Sequence, residues 1–211
     1  MKRYSGLIVI VALAGCATGR LDYVPPSSPE PLANSKTINE PRDVVWNASV
    51  PELSKQFFVI NNLDKSSGLI NVSYSGDPES YVDCGFITSH FTNLRGDHTY
   101  HFPAAQAQES YQIMNGIYLF LVDRKMSLDG RVNLVFEKTG PAQTKVTAYT
   151  RYVLKRHITA RNAGNNIPFS RDDSISFNSG GEAAFASNSN GDATTCVPTG
   201  KLERDILSAI R

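Results

Sequence analysis

The chain has 211 residues, 41% of them hydrophobic, and a formal net charge of +1. That is enough apolar material for one cored domain with an unstructured appendage. The near-neutral balance lacks the basic footprint of a nucleic-acid-binding protein, so no nucleic-acid partner is expected.

The first element is a leader over residues 1–15. Lys2 and Arg3 form a basic head, "LIVIVAL" from Leu7 to Leu13 an apolar centre, and Ala14-Gly15 a small-residue cleavage site. A spanning helix needs roughly 20 apolar residues, so this shorter run reads as a secretory signal peptide. The stretch "LAGC", Leu13 to Cys16, resembles the lipobox of bacterial lipoproteins. The resemblance implies cleavage before Cys16, diacylglycerol on the Cys16 thiol and acylation of the new amine, palmitate being the expected chain. Ala17 in place of Asp implies sorting to the outer membrane, with the protein facing the periplasm. Two or more acyl chains make a lasting anchor, because each buried CH₂ contributes about 0.8 kcal/mol. With Cys16 lipidated, Cys84 and Cys196 are left. An even remainder in an oxidising compartment is expected to form one disulfide, two free thiols being the alternative.

Residues 16–38 read as the lipidated cysteine and a tether. "YVPPSSPEPLANS" has four prolines among serines and little to bury, so an extended spacer is expected. The single folded domain is placed at residues 39–211. Its first element is a helix opened by Pro41, with Asn39 or Glu40 as cap. Trp46, Val50, Leu53 and Phe57 share one helical face, and Pro51 predicts a kink or restart. Core packing is the favoured role of Trp46 over ligand stacking. "FFVIN", "DKSSG" and "LINVSYS" then read as strand, turn and strand.

Residues 85–112 show no clear period after a short strand carrying Cys84, and a loop is expected. "GIYLFLV" (116–122) and "RVNLVFE" (131–137) read as strands, with Asp129-Gly130 as the hairpin signal between them. "KVTAYTRYVLKRH" (145–157) is a long strand with Val146, Ala148, Tyr152 and Leu154 on one face. Residues 162–173 read as loop, and "SISF" and "EAAFAS" as one further hairpin. Leu202, Ile206 and Ile210 lie four apart, giving an amphipathic C-terminal helix. The sum is an α+β domain. An antiparallel sheet of about six strands has N- and C-terminal helices packed on one face, a helix-grip-like two-layer arrangement.

The segment "DVVWNASVPELSKQFFVINNLDKSSGLINVSYS", Asp43 to Ser75, resembles the BamC (NlpB-type) outer-membrane lipoproteins. It carries Trp46 in the first helix, a bulky apolar end, a strand, an acidic-to-glycine turn and a second strand. The resemblance implies a helix-grip fold and service in envelope assembly. The single domain and the expected disulfide depart from that pattern.

Chemistry has little to stand on. His90, His98 and His101 lie close in sequence with Asp83 and Asp97, but the spacing lacks the helical i, i+4 pair of a zinc protease, and exposed loop histidines are the favoured reading. No G-x-S-x-G or phosphate-cradling glycine loop occurs. Asp172-Asp173 are expected to be solvated, and Asn47 and Asn71 stand in N-x-S sequences with no reason for glycosylation. No catalytic residue, metal or cofactor is assigned. The expected function is a non-enzymatic structural or accessory subunit of an envelope complex: barrel-protein assembly, secretion or a surface appendage. Its partners would be the outer membrane, through the lipid, and other envelope subunits. The alternative is a periplasmic ligand-binding helix-grip domain, with Tyr118, Phe120, Tyr149 and Tyr152 lining a cavity.

Overall fold

A computed structural model describes residues 18–27, 33–164, 168–187 and 193–211. The strands are β1 (Thr18–Val24), β2 (Ser35–Ile38), β3 (Val59–Asp64), β4 (Leu69–Gly76), β5 (Val82–Asp83), β6 (Phe86–Asn93), β7 (Gly96–Pro103), β8 (Gln108–Asn115), β9 (Tyr118–Gly140), β10 (Gln143–Asn162), β11 (Pro168–Asn178), β12 (Ala183–Phe185) and β13 (Thr194–Pro198). The helices are α1 (Arg42–Ser54) and α2 (Lys201–Ser208).

The α+β expectation does not hold. The molecule is mostly β, with three sheets and two short helices among the described residues. The largest sheet runs β11-β10-β9-β4-β3, with β2 on the outer edge of β10 and β8 on the edge of β9 that β4 also uses. Two three-stranded sheets stand beside it, β1-β6-β7 and β12-β13-β5. The difference arises because stretches expected as tether or loop are paired strands. Residues 18–24 pair with β6 and residues 35–38 pair with β10. Residues 85–112 hold the β6–β7 hairpin and most of β8.

The spine is the β9–β10 hairpin, whose strands are 23 and 20 residues long. Its turn lies at 141–142, not at Asp129-Gly130, which sit in mid-strand opposite Val153 and Tyr152. Gly130 has a packing role instead. A Cβ there would stand 2.9 Å from Leu202 Cδ2, so the missing side chain admits α2 against the strand. Period-2 alternation sets the core face: Leu128, Val132, Leu134 and Phe136 of β9, with Val146, Ala148, Tyr152 and Leu154 of β10, are buried. Ile70 and Val72 of β4 join them. Each Val, Leu, Ile or Phe among them contributes about 1.5–3 kcal/mol on burial.

Helix α1 adds Val45, Trp46 and Leu53 to this core, and Trp46 meets Phe136 edge-on at 5.1 Å. Phe57 lies beyond the helix and is exposed. Helix α1 runs through Pro51 without a restart. The proline falls in the last turn, and the carbonyl it cannot serve belongs to the exposed Asn47. Pro41 itself is the N-cap residue. Helix α2 buries Leu202 and Ile206, with Ile210 just beyond its end, as the spacing predicts. "SISF" belongs to β11, which pairs with β10, while β12 pairs with β13. The turn at 179–180 therefore links two sheets and does not close a hairpin.

Cys84 and Cys196 form a disulfide, closing a separation of 112 residues. It joins the segment after β5 to β13, immediately ahead of α2. Gly85, at φ 72°, lets the chain pass here, since a Cβ would stand 2.0 Å from the Val24 carbonyl. Tyr23 ties β1 to the same region. Its hydroxyl donates to the Thr195 carbonyl at 3.0 Å and accepts from the Thr195 amide at 2.9 Å.

Candidate functional site

The residues singled out for chemistry do not converge. Strand alternation puts His90 and His101 on the outer face of the β6–β7 hairpin, where they hydrogen-bond Thr99 and Thr88. His98 lies on the inner face, stacked on Phe91 at 4.8 Å. Asp83 accepts from the Gly85 amide at 2.7 Å, and Asp97 from the Thr92 hydroxyl at 2.5 Å. Among the described residues, no group of three or more His, Cys, Asp or Glu is placed to hold a metal ion.

The aromatic residues assigned to a cavity are also dispersed. Tyr118 and Tyr149 are exposed, and Phe120 packs against the core. Tyr152 is fully buried, stacked on Phe177 at 5.3 Å. Its hydroxyl donates to Glu203 Oε2 at 2.7 Å, and the Ser179 hydroxyl donates to Oε1 at 2.7 Å. Burial, then the Glu203 carboxylate, pushes the Tyr152 phenol well above the usual tyrosine range. This buried bridge fastens α2 to β10 and is structural.

Asp172 and Asp173 are not loop residues. They lie on β11 directly opposite His157 and Arg156. Arg156 grips Asp173 with two bonds of 2.9 and 2.7 Å, Arg171 reaches the same carboxylate at 3.0 Å, and His157 meets Asp172 at 2.6 Å. The His157–Asp172 pair is exposed on the outer strand of the main sheet, while the Arg156–Asp173 pair is largely buried. Nearby, Arg124 is buried at 1% exposure. Its Nη2 donates to the Ala104 carbonyl, while Nε and Nη1 have no protein partner. Burial, partly offset by Tyr111, pushes the Arg124 guanidinium down to about 10. Sequence reading missed it because a cation on an alternating strand resembles an outward one.

Two surfaces have features that invite a partner. The first is the opposite sheet edge, β3. Val59 is 62% exposed and Leu63 46%, beside exposed Phe57, and β3 carries no charge before its last residue, Asp64. The second is one end of the molecule, where the turns at 94–95 and 116–117 flank an open groove of about 820 Å³. Met114, Leu119 and Leu121 line it, with Leu94 and Ile117 at its mouth.

Cys16 lies outside the described residues. No described helix is long and apolar enough to cross a membrane. The fold and surfaces define a β-rich, disulfide-stapled domain in which the β3 edge is apolar and uncharged up to Asp64. Comparison with protein-family models, curated proteins and solved structures finds no match.

Proposed function

We propose that the chain is an outer-membrane lipoprotein, anchored through Cys16 and facing the periplasm, which serves as a non-enzymatic accessory subunit of an envelope complex. The leader and the "LAGC" stretch support the anchor. The Cys84–Cys196 disulfide fits an oxidising compartment. The binding role rests on the β3 edge. Unpaired strand donors and acceptors beside exposed apolar side chains are a template for strand addition, and charge is one of the devices that blunt such edges. Strand β11 carries Arg171, Asp172 and Asp173 in sequence, with Asp172 exposed, whereas β3 carries no charge before Asp64. A relation to BamC-type proteins rests on the Asp43–Ser75 segment alone.

A photo-crosslinking residue at Val59 or Leu63, activated in intact envelopes, tests the role. Discrete adducts with another envelope protein are expected from these positions and not from Ser174 on β11. Adducts from neither edge, or from Ser174 alone, count against it. The alternative, a ligand-binding domain, is favoured only by the open groove, since its proposed aromatic lining is dispersed.

A further inference from the structure

The described chain begins at one end of the molecule. In β1, Thr18 stands opposite Thr92, one residue before Asn93 closes β6 at the 94–95 turn. Gly19 lies against β8. A Cβ there would be 2.5 Å from Met114 Cβ, and Met114 is one residue from the end of β8 at the 116–117 turn. The N-terminal strand therefore emerges between two hairpin turns.

Both turns carry apolar side chains where polar ones are the rule. Leu94 is 98% exposed, Ile117 79% and Tyr118 56%. The β10–β11 connection reaches the same end, since the Ala163 amide donates to the Leu119 carbonyl at 2.8 Å, and Phe169 nearby is 55% exposed. Singly exposed apolar residues are ordinary, but Leu94 and Ile117 come from two separate turns that flank one groove, with Tyr118 next to Ile117 in the chain. Arg95 and Arg161 are exposed at the same end.

The chain length outside the described residues supplies the occupant. Cys16 precedes Thr18 by two residues, and two residues span at most about 7 Å. Acyl chains on Cys16 would thus leave the protein beside Leu94 and Ile117. We propose that this end is seated in the bilayer interface, with Leu94, Ile117 and Tyr118 inserted at headgroup depth and Arg95 and Arg161 facing anionic headgroups. The proposal rests on the reading of Cys16 as lipidated. It replaces a domain held off by a tether with one standing directly on the membrane. The β9–β10 spine starts at this end with Tyr118, so the far end of its 23-residue strand lies up to about 73 Å away at roughly 3.3 Å per residue. Strand β4, which carries β3, pairs with β9 over Leu128–Val135, so the β3 edge is held clear of the lipid.

The test uses the lipidated full chain, purified from membranes, in vesicles of brominated phosphatidylcholine with phosphatidylglycerol. Leu94→Trp and Ile117→Trp are compared with Ala142→Trp at the far turn, with native Trp46 as shared background. These positions are exposed, so folding should survive. The added emission at 94 and 117 is expected to fall by about half or more, as for rings roughly 5–10 Å into the interface, with none lost at 142. Equal quenching at all three positions, or none at 94 and 117, overturns the proposal while leaving the anchor intact. Mass spectrometry of the same samples separates the two claims: a Cys16 without diacylglycerol overturns both.

Discussion

Replacing Cys84 and Cys196 together by alanine removes a cross-link between the start of the β6 segment and β13. Both residues are fully buried, so alanine avoids the unpaired hydroxyl that serine would leave. The loop closed spans 112 residues. In the chain-entropy relation its closure is worth about 4.8 kcal/mol at 25 °C, which the variant gives back to the unfolded chain. At roughly 2–4 °C per kcal/mol for a domain of this size, the midpoint should fall by about 10–19 °C. Guanidinium unfolding of the oxidised wild type and the variant, followed by far-UV circular dichroism, reads the difference. The midpoint should fall and the slope rise, because the uncrosslinked unfolded chain exposes more surface. A loss under about 1 kcal/mol would refute the argument that the disulfide acts by constraining the unfolded chain.

Tyr152→Phe removes one of two donors to the buried Glu203 and should destabilise by about 1–3 kcal/mol in the same assay; a change near zero would deny the bridge its role. Arg124→Met exchanges a buried cation for an apolar chain of similar reach. The shift from 12.5 to about 10 corresponds to a cost of about 3 kcal/mol, and the Ala104 carbonyl left without its donor returns about 1–3. Stability should stay level or rise by up to about 2 kcal/mol, and a loss beyond that size would contradict the assignment. Asp64 is held at about 2 by bonds from Ser66 and Ser67, below its ordinary 3.8. Its folded-state value is depressed, so its contribution is full above 3.8 and is lost as the pH falls through 2. The stability gap between wild type and Asp64→Ala should therefore narrow in that window; a constant gap would rule out the ionised carboxylate as its cause.

The parts of the fold legible in the sequence are those where burial writes a pattern. Val146 to Leu154 and Val132 to Phe136 alternate because one face of the spine is core. Leu202, Ile206 and Ile210 recur every four residues because α2 packs by one stripe. Strands β1 and β2 are mostly exposed, so they leave no apolar period and are held by ladder bonds to β6 and β10. In β6 the inward set Ile87, Ser89 and Phe91 is interrupted by a serine, whose hydroxyl donates to the Gln112 carbonyl at 2.6 Å. The Asp129-Gly130 turn signal misled because a glycine needed for helix packing has the same letter as one needed for a turn. The Cys84–Cys196 pairing was legible by counting; the grouping of the 94–95 and 116–117 turns at one end was not, since Thr18 and Leu94, and Gly19 and Ile117, are brought near only through the sheets.

The central claim is the lipid anchor. Expression of the full chain in bacteria grown with an alkyne-bearing palmitate, followed by dye coupling and membrane fractionation, tests it most directly. The wild type should take up label and sediment with the outer membrane, while Cys16→Ser should be unlabelled and released from it. An unlabelled wild type, or a Cys16→Ser protein that keeps both label and membrane position, would contradict the account.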